Sequence, residues 1–331
     1  MIDPKDITFV FQGAADKATL RESFAGIRRF FPGSTIILST WSGTDVDGLD
    51  FDDLVLSEDP GYFFYSDRPG EKVNNVNRQI VGTAAGLAKA GTRYAMRMRT
   101  DFRLTGSNFL NFVGAYPDAD PAYSVFSEKL LACCYFSRNP RSRTRFPFHP
   151  SDLAFFGPTD DLKALFDVPL MTEEEAYWDT DDRRYNRYTP EQYIFVNALR
   201  RMGRKVPCEY YNDDNMAAIL ETERYFASNF VFLTFDQFNL MPSKPTFLMK
   251  VHPNSFMTCY THNEWLGLYR KHVDASVTIP EHDPEREKIE RFYGPYRVCR
   301  LIGNVASLPF RNKVRRRAIR TGVLEFFLMP R

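Results

Sequence analysis

Residues 94–104 read YAMRMRTDFRL. The alternation has the period of a strand, with Tyr94, Met96 and Met98 on one face and Ala95, Arg97, Arg99 and Asp101 on the other. Arginine is seldom buried without a partner, so two guanidiniums leading to a carboxylate imply mutual pairing or an anionic ligand. Polar or small residues also stand where other strands should end: Gln12-Gly13, Thr40-Trp41 and Asp59-Pro60-Gly61. Asn74, Asn75, Asn77, Arg78 and Gln79 open a helix. Amides there either cap the helix or suit hydrogen bonds to a sugar or ribose.

The elements that would position these groups can be read along the chain. Ile7–Phe11 is a short apolar run, and residues 17–31 carry Leu20, Phe24, Ile27, Phe30 and Phe31 at helical spacing before Pro32-Gly33. Ser34–Trp41 reads as a second strand, Asp53–Ser57 as a third, Val73–Lys89 as a helix and 93–101 as a fourth strand. Strands alternating with helices predict an α/β protein with a parallel sheet, and such sheets bind ligands outside the carboxyl ends of their strands. Residues 121–136 read as strand, 138–145 as a basic loop with four arginines, and 151–157 as a strand entering a turn. The acid- and arginine-rich stretch 173–187 reads as a solvated loop. Thr189-Pro190-Glu191-Gln192 is a helix start, with a capping hydroxyl, proline at the first helical position and Gln192 at the capping-box position.

Composition limits the alternatives. A net charge of +1 gives no overall reason to expect a nucleic-acid partner. Five cysteines, two of them adjacent and none in CxxC, fit a reducing compartment rather than a disulfide framework. The first residues read as a strand, not a signal peptide, and no stretch approaches the ~20 apolar residues of a membrane span. A cytoplasmic location, or one bound to the inner face of a membrane, is expected. The tail carries Arg311, Lys313, Arg315, Arg316, Arg317 and Arg320, then the apolar run 323–328. Such a pairing suits an anionic membrane surface or a solvated helix that packs on the domain.

Six segments in order carry a family resemblance: GIRRFFPGSTIILSTW (26–41), DLVLSEDPG (53–61), NNVNRQIVGTAAGL (74–87), YAMRMRTDF (94–102), SDLAFFG (151–157) and PEQYIFVNAL (190–199). Together they resemble the WavE-type lipopolysaccharide-synthesis family, glycosyltransferases of bacterial surface polysaccharides. The similarity spans about residues 7–205 and is most specific over 74–101. It implies a glycosyltransferase-A-type fold: a Rossmann-like mixed sheet flanked by helices, here with a C-terminal helical, basic extension. The expected division is 1–205 as the sugar-nucleotide and acceptor core, 206–300 as an aromatic-rich continuation and 301–331 as the tail.

In similar enzymes a strand ends in Asp-x-Asp, whose last aspartate holds a divalent cation, Mn²⁺ or Mg²⁺, against the donor diphosphate. Here the triplet is Arg99-Thr100-Asp101, so Asp101 is the expected metal ligand and the first aspartate is an arginine. Arg97, Arg99 and Arg78 could instead supply bidentate phosphate contacts. Gln12, Gly13, Thr40, Trp41, Asp59, Asn75 and Gln79 complete the expected nucleotide-sugar pocket. Pro190-Glu191-Gln192 is similar to the acid pair that begins the acceptor-side helix of inverting transferases, whose aspartate is the general base. Gln192 cannot serve as one. Glu191 or Asp152 takes that role, or the reaction is retaining and needs none, with Asp152, Glu191 and Gln192 facing donor sugar and acceptor. His252 and His262 are further candidates for a late metal or phosphate ligand.

The expected activity is transfer of a sugar from a nucleotide donor to a glycan or lipid-linked acceptor in surface-polysaccharide synthesis. A nucleotidyltransferase or a non-catalytic subunit of a polysaccharide assembly complex are the rivals.

Overall fold

In a computed structural model, residues 2–65, 73–142, 145–180, 183–213, 215–243 and 256–328 are described. Seven strands form one sheet: β1 (Ile7–Gln12), β2 (Thr35–Trp41), β3 (Asp53–Ser57), β4 (Tyr94–Arg99), β5 (Leu130–Cys133), β6 (Ala154–Pro158) and β7 (Phe230–Leu233). Their order is β3-β2-β1-β4-β6-β5-β7. β6 runs antiparallel to both its neighbours, and every other pairing is parallel. This is a Rossmann-like α/β sheet of glycosyltransferase-A type, as expected. The helices are α1 (Lys17–Phe30), α2 (Val76–Lys89), α3 (Thr159–Phe166), α4 (Pro190–Arg201), α5 (Met216–Asn229) and α6 (His262–His272), followed by α7 (Pro284–Ser307) and α8 (Lys313–Leu328).

Local chemistry accounts for the elements nearest the strand ends. All six residues of β1 are buried, as in a strand covered on both faces. The Asp16 side chain accepts from Thr19 N–H at 3.3 Å and starts α1. α2 lies unusually close to the sheet because it presents Gly82 and Gly86. A Cβ at Gly86 would come 2.5 Å from Val10 Cγ1, and one at Gly82 would come 2.9 Å from Gln12 Cγ. The Ser39 hydroxyl donates to the Gly82 carbonyl at 2.6 Å, across the same contact. Aromatic pairs fill the layer under α1, with Phe9–Phe31 centroids 4.8 Å apart and Phe11–Phe24 4.9 Å.

Two expectations need correction. Of residues 121–136 only Leu130–Cys133 are strand. Stretch 173–187 is not simply a loop. Thr172 and Glu175 form a capping box over the one-turn helix Glu173–Ala176, and Tyr177–Thr180 pairs antiparallel with Arg183–Asn186. Trp178 stacks between Tyr185 and Tyr210, at 5.4 and 5.3 Å, so aromatic contact outweighs the local charge. Residues 206–280, which carry no clear periodicity, supply α5, β7 and α6.

The chain divides into two compact units: 1–250 with 258–279, and 251–257 with 280–331. The second unit includes the tail anticipated at 301–331. Within it α7 contains Pro295, and a Cβ at Gly303 would lie 3.3 Å from Arg320 Cα of α8.

Valine at Gly86 should push α2 off β1. Gly86→Val is expected to lower unfolding stability by about 2 kcal/mol in urea titrations, the usual cost of overpacking.

Candidate functional site

Register places Gln12 beside Arg99 and Val10 beside Arg97 in adjacent parallel strands. Arg97 is fully buried. Its Nη2 donates to Gln12 Oε1 at 2.8 Å, its Nε to Thr83 Oγ1 at 3.1 Å and its Nη1 to the backbone carbonyl of Asp152. Burial lowers its pKa to about 10, with the Asp152 charge opposing, so it stays cationic near neutrality. Arg97 thus ties three segments together rather than offering itself to a ligand. Gln12 completes the link by donating to the Arg78 carbonyl at 3.3 Å.

One turn of pleat further, Arg99 reaches the surface. Its Nε and Nη2 fork onto Asp101 at 2.9 and 2.8 Å, and its Nη1 lies 3.9 Å from Asp152 Oδ1. Burial works against the Arg99 charge, but Asp152 and Asp101 outweigh it and raise the pKa. Arg99, Thr100 and Asp101 border a cleft of 340 Å³ with Gln12, Gly13, Ala14, Asn75 and Gln79. Gly13 has a φ of +133°, and a Cβ there would stand 2.9 Å from Thr100 Oγ1. That hydroxyl donates to the Ala14 carbonyl at 2.7 Å, joining the β1 and β4 ends of the cleft. The amide nitrogen of Gln79 donates to Asn75 Oδ1 at 3.2 Å. Its buried Oε1 has no hydrogen-bond partner among the described residues.

Beyond Arg99 lies a second cluster. The Asp152 carboxylate is almost wholly buried, and Glu191 is 15 % exposed. Burial raises the pKa of Asp152, reinforced by the nearby Glu191 charge, and burial likewise raises that of Glu191. His149 Nε2 is 3.6 Å from Glu191 Oε2. Burial, with the Arg138 charge, drops the His149 pKa to about 3, so the imidazole is neutral. Burial also pushes up the Tyr65 hydroxyl, which feels both Glu191 and Asp152. His149, Arg138 and Tyr65 escaped sequence reasoning. The available signal was His149, three residues before Asp152 in the segment that leads into β6.

Other expected site residues lie elsewhere. Arg78 forks onto Asp59 at 2.7 and 2.5 Å and sits 5.0 Å over the Tyr62 ring, and this pairing holds the Asp59 carboxyl below its usual range. Thr40 is buried with its hydroxyl 3.4 Å from that of Thr44, and Trp41 is half-buried. None of these four borders the 340 Å³ cleft. Gln192, expected to face the acceptor, instead turns inward. Its Nε2 donates to the carbonyls of Pro147 at 2.7 Å and Tyr211 at 2.9 Å, while its Oε1 caps Thr189. Asn75 begins α2 without a side-chain cap, leaving Asn74 Oδ1 to accept from Val76 N–H at 3.1 Å. His262 Nδ1 meets the Phe232 carbonyl at 2.7 Å, away from the cleft, and His252 lies outside the described residues.

No group of three or more His, Cys, Asp or Glu converges as a cation cage among the described residues. Of the tail cations Arg311, Arg315 and Arg320 are exposed and Arg316 is half-buried, while the side chains of Lys313 and Arg317 lie outside the described residues. Among the described residues no helix is long and apolar enough to cross a membrane.

Sheet order, reversed β6 and a cleft at the carboxyl ends of β1 and β4 together define a Rossmann-like fold of glycosyltransferase-A type. A family model described as WavE lipopolysaccharide synthesis matches residues 7–295, and the chain belongs to that family. Membership gives it a role in lipopolysaccharide synthesis, and the match extends well past the 7–205 resemblance. No curated protein matches the chain.

The raised Asp152 pKa has a stability consequence. A carboxyl whose folded pKa lies above its unfolded one stabilises the fold when protonated and loses that contribution as pH rises through the folded value. Asp152→Asn should therefore gain in melting temperature relative to the parent as pH rises, and the difference should shrink on acidification. Thermal melts across a pH series check it.

Proposed function

We propose that the protein is a sugar-nucleotide-dependent glycosyltransferase acting on a glycan or lipid-linked acceptor of lipopolysaccharide. The observation that carries this reading is the position of Arg99. It borders the 340 Å³ cleft on one side and approaches the buried Asp152 carboxylate on the other. The donor occupies the cleft, where the free Gln79 Oε1 accepts a hydrogen bond from ribose or base and Arg99 faces the diphosphate.

The reaction is a single displacement. The acceptor hydroxyl passes its proton to a Glu191 oxygen as its own oxygen bonds the anomeric carbon of the donor. The bond from that carbon to phosphate oxygen breaks, and its electron pair leaves with the nucleoside diphosphate. Glu191 suits the base role because its pKa is raised and it is less enclosed than Asp152. Asp152 holds Arg99 from behind, and Arg99 stabilises the charge that develops on the leaving diphosphate.

Asp101 is the residue that would hold a divalent cation. A single carboxylate suffices for Mg²⁺ when phosphate oxygens and water complete its shell, and the ion would neutralise diphosphate charge. Both Asp101 oxygens are engaged by Arg99, so ion and guanidinium would share one carboxylate.

Thermal shift with nucleoside diphosphates and sugar nucleotides, with and without Mn²⁺, tests donor binding. Stabilisation by at least one nucleotide is expected, and its absence throughout would leave the non-catalytic assembly role. Asp101→Ala should abolish transfer while melting like the parent; full activity refutes its assignment. Glu191→Gln should cost about 10²–10⁴-fold in kcat, the range for loss of a general base. In the parent, kcat/KM should rise with pH through an inflection above the ordinary carboxylate range, and that limb should vanish in Glu191→Gln.

A further inference from the structure

Helix α7 is apolar on two opposite sides, and the described residues cover only one of them. Tyr296, Cys299, Gly303 and Ser307 are buried, at the i, i+3, i+4 spacing of a single helix face. Gly303 on that face makes the close approach to α8. Val298, Leu301, Val305 and Leu308 recur with the same spacing on the other side and are exposed by 59, 65, 58 and 65 %. Ile302 widens that stripe. An apolar stripe of this length in water marks a contact surface.

Charge says what covers it. From Arg291 to Leu308 there are three arginines, Arg291, Arg297 and Arg300, and no aspartate or glutamate, in a chain whose net charge is only +1. Arg297 and Arg300, both exposed, immediately precede Val298 and Leu301. A second copy on this face would set cation against cation. A bilayer of anionic lipid offers hydrocarbon to the stripe and phosphate to the arginines.

We propose that the Val298–Leu308 face of α7 docks on an anionic membrane surface. The contact is the α7 stripe itself rather than the cation run of α8 or the apolar run at 323–328. It lies beyond residue 295, where the family match ends. It does not depend on the transferase reading.

The test is flotation of the full chain with vesicles of phosphatidylcholine, alone or mixed with phosphatidylglycerol. The protein should float with the mixed vesicles and not with phosphatidylcholine alone. Leu301→Ser/Val305→Ser should weaken vesicle binding at least about tenfold, since two apolar side chains no longer enter the interface. Arg297→Gln/Arg300→Gln should weaken it about tenfold as well. Circular dichroism should be unchanged in both, because the substituted side chains are exposed. Failure of the parent to float with anionic vesicles, or flotation indifferent to Leu301→Ser/Val305→Ser, overturns the proposal. A dimer in lipid-free sedimentation that Leu301→Ser/Val305→Ser dissolves would give the stripe to a second copy and overturn it equally.

Discussion

The Arg97 guanidinium draws its acceptors from three separate parts of the chain: Gln12 at the end of β1, Thr83 on α2 and the backbone at Asp152 just before β6. A fully buried cation is tolerated only if its donors are satisfied, so these segments must meet at one point for the fold to close. The glycines of α2 serve the same convergence, because Thr83 reaches Arg97 only when the helix lies against β1 and β2. The cleft is a by-product of that closure. Arg99 follows Arg97 on the same strand face and is delivered to the surface beside whatever Arg97 has gathered.

Much of the first half was legible because its signals are local. Parallel strands with continuous apolar runs, the Thr189 helix start and the Pro32-Gly33 stop all depend on neighbours within a few residues. The division of labour between Arg97 and Arg99 was not. Both stand on one face of β4, and only partners from distant segments, Gln12, Thr83 and the Asp152 backbone, make the first structural and leave the second near the cleft. Gln192 misleads in the opposite way. Its capping-box position is a true local signal, but the carbonyls of Pro147 and Tyr211 that occupy its amide come from distant loops.

The Asp152 and Glu191 region was legible as residue types but not as an electrostatic unit. Each acid was visible at an element boundary, whereas their shared burial with neutral His149 and the Tyr65 hydroxyl depends on loops packing together. Burial there disfavours ionisation, and one arginine offsets it from the cleft side. The stability of the fold and the readiness of an acid to take a proton are thus set by the same low-dielectric pocket.

The single reversed strand explains why Asp152 can reach the site at all. Parallel strands deliver residues to the ligand edge only after they have crossed the sheet. β6 runs the other way, so the segment that precedes it, with His149 and Asp152, enters the sheet at the edge where β4 finishes. The loop before β6 is consequently free to vary only where it does not carry the Asp152 carbonyl, because that one backbone oxygen is fixed by Arg97 of β4 while β1 and α2 supply the rest of the guanidinium's partners.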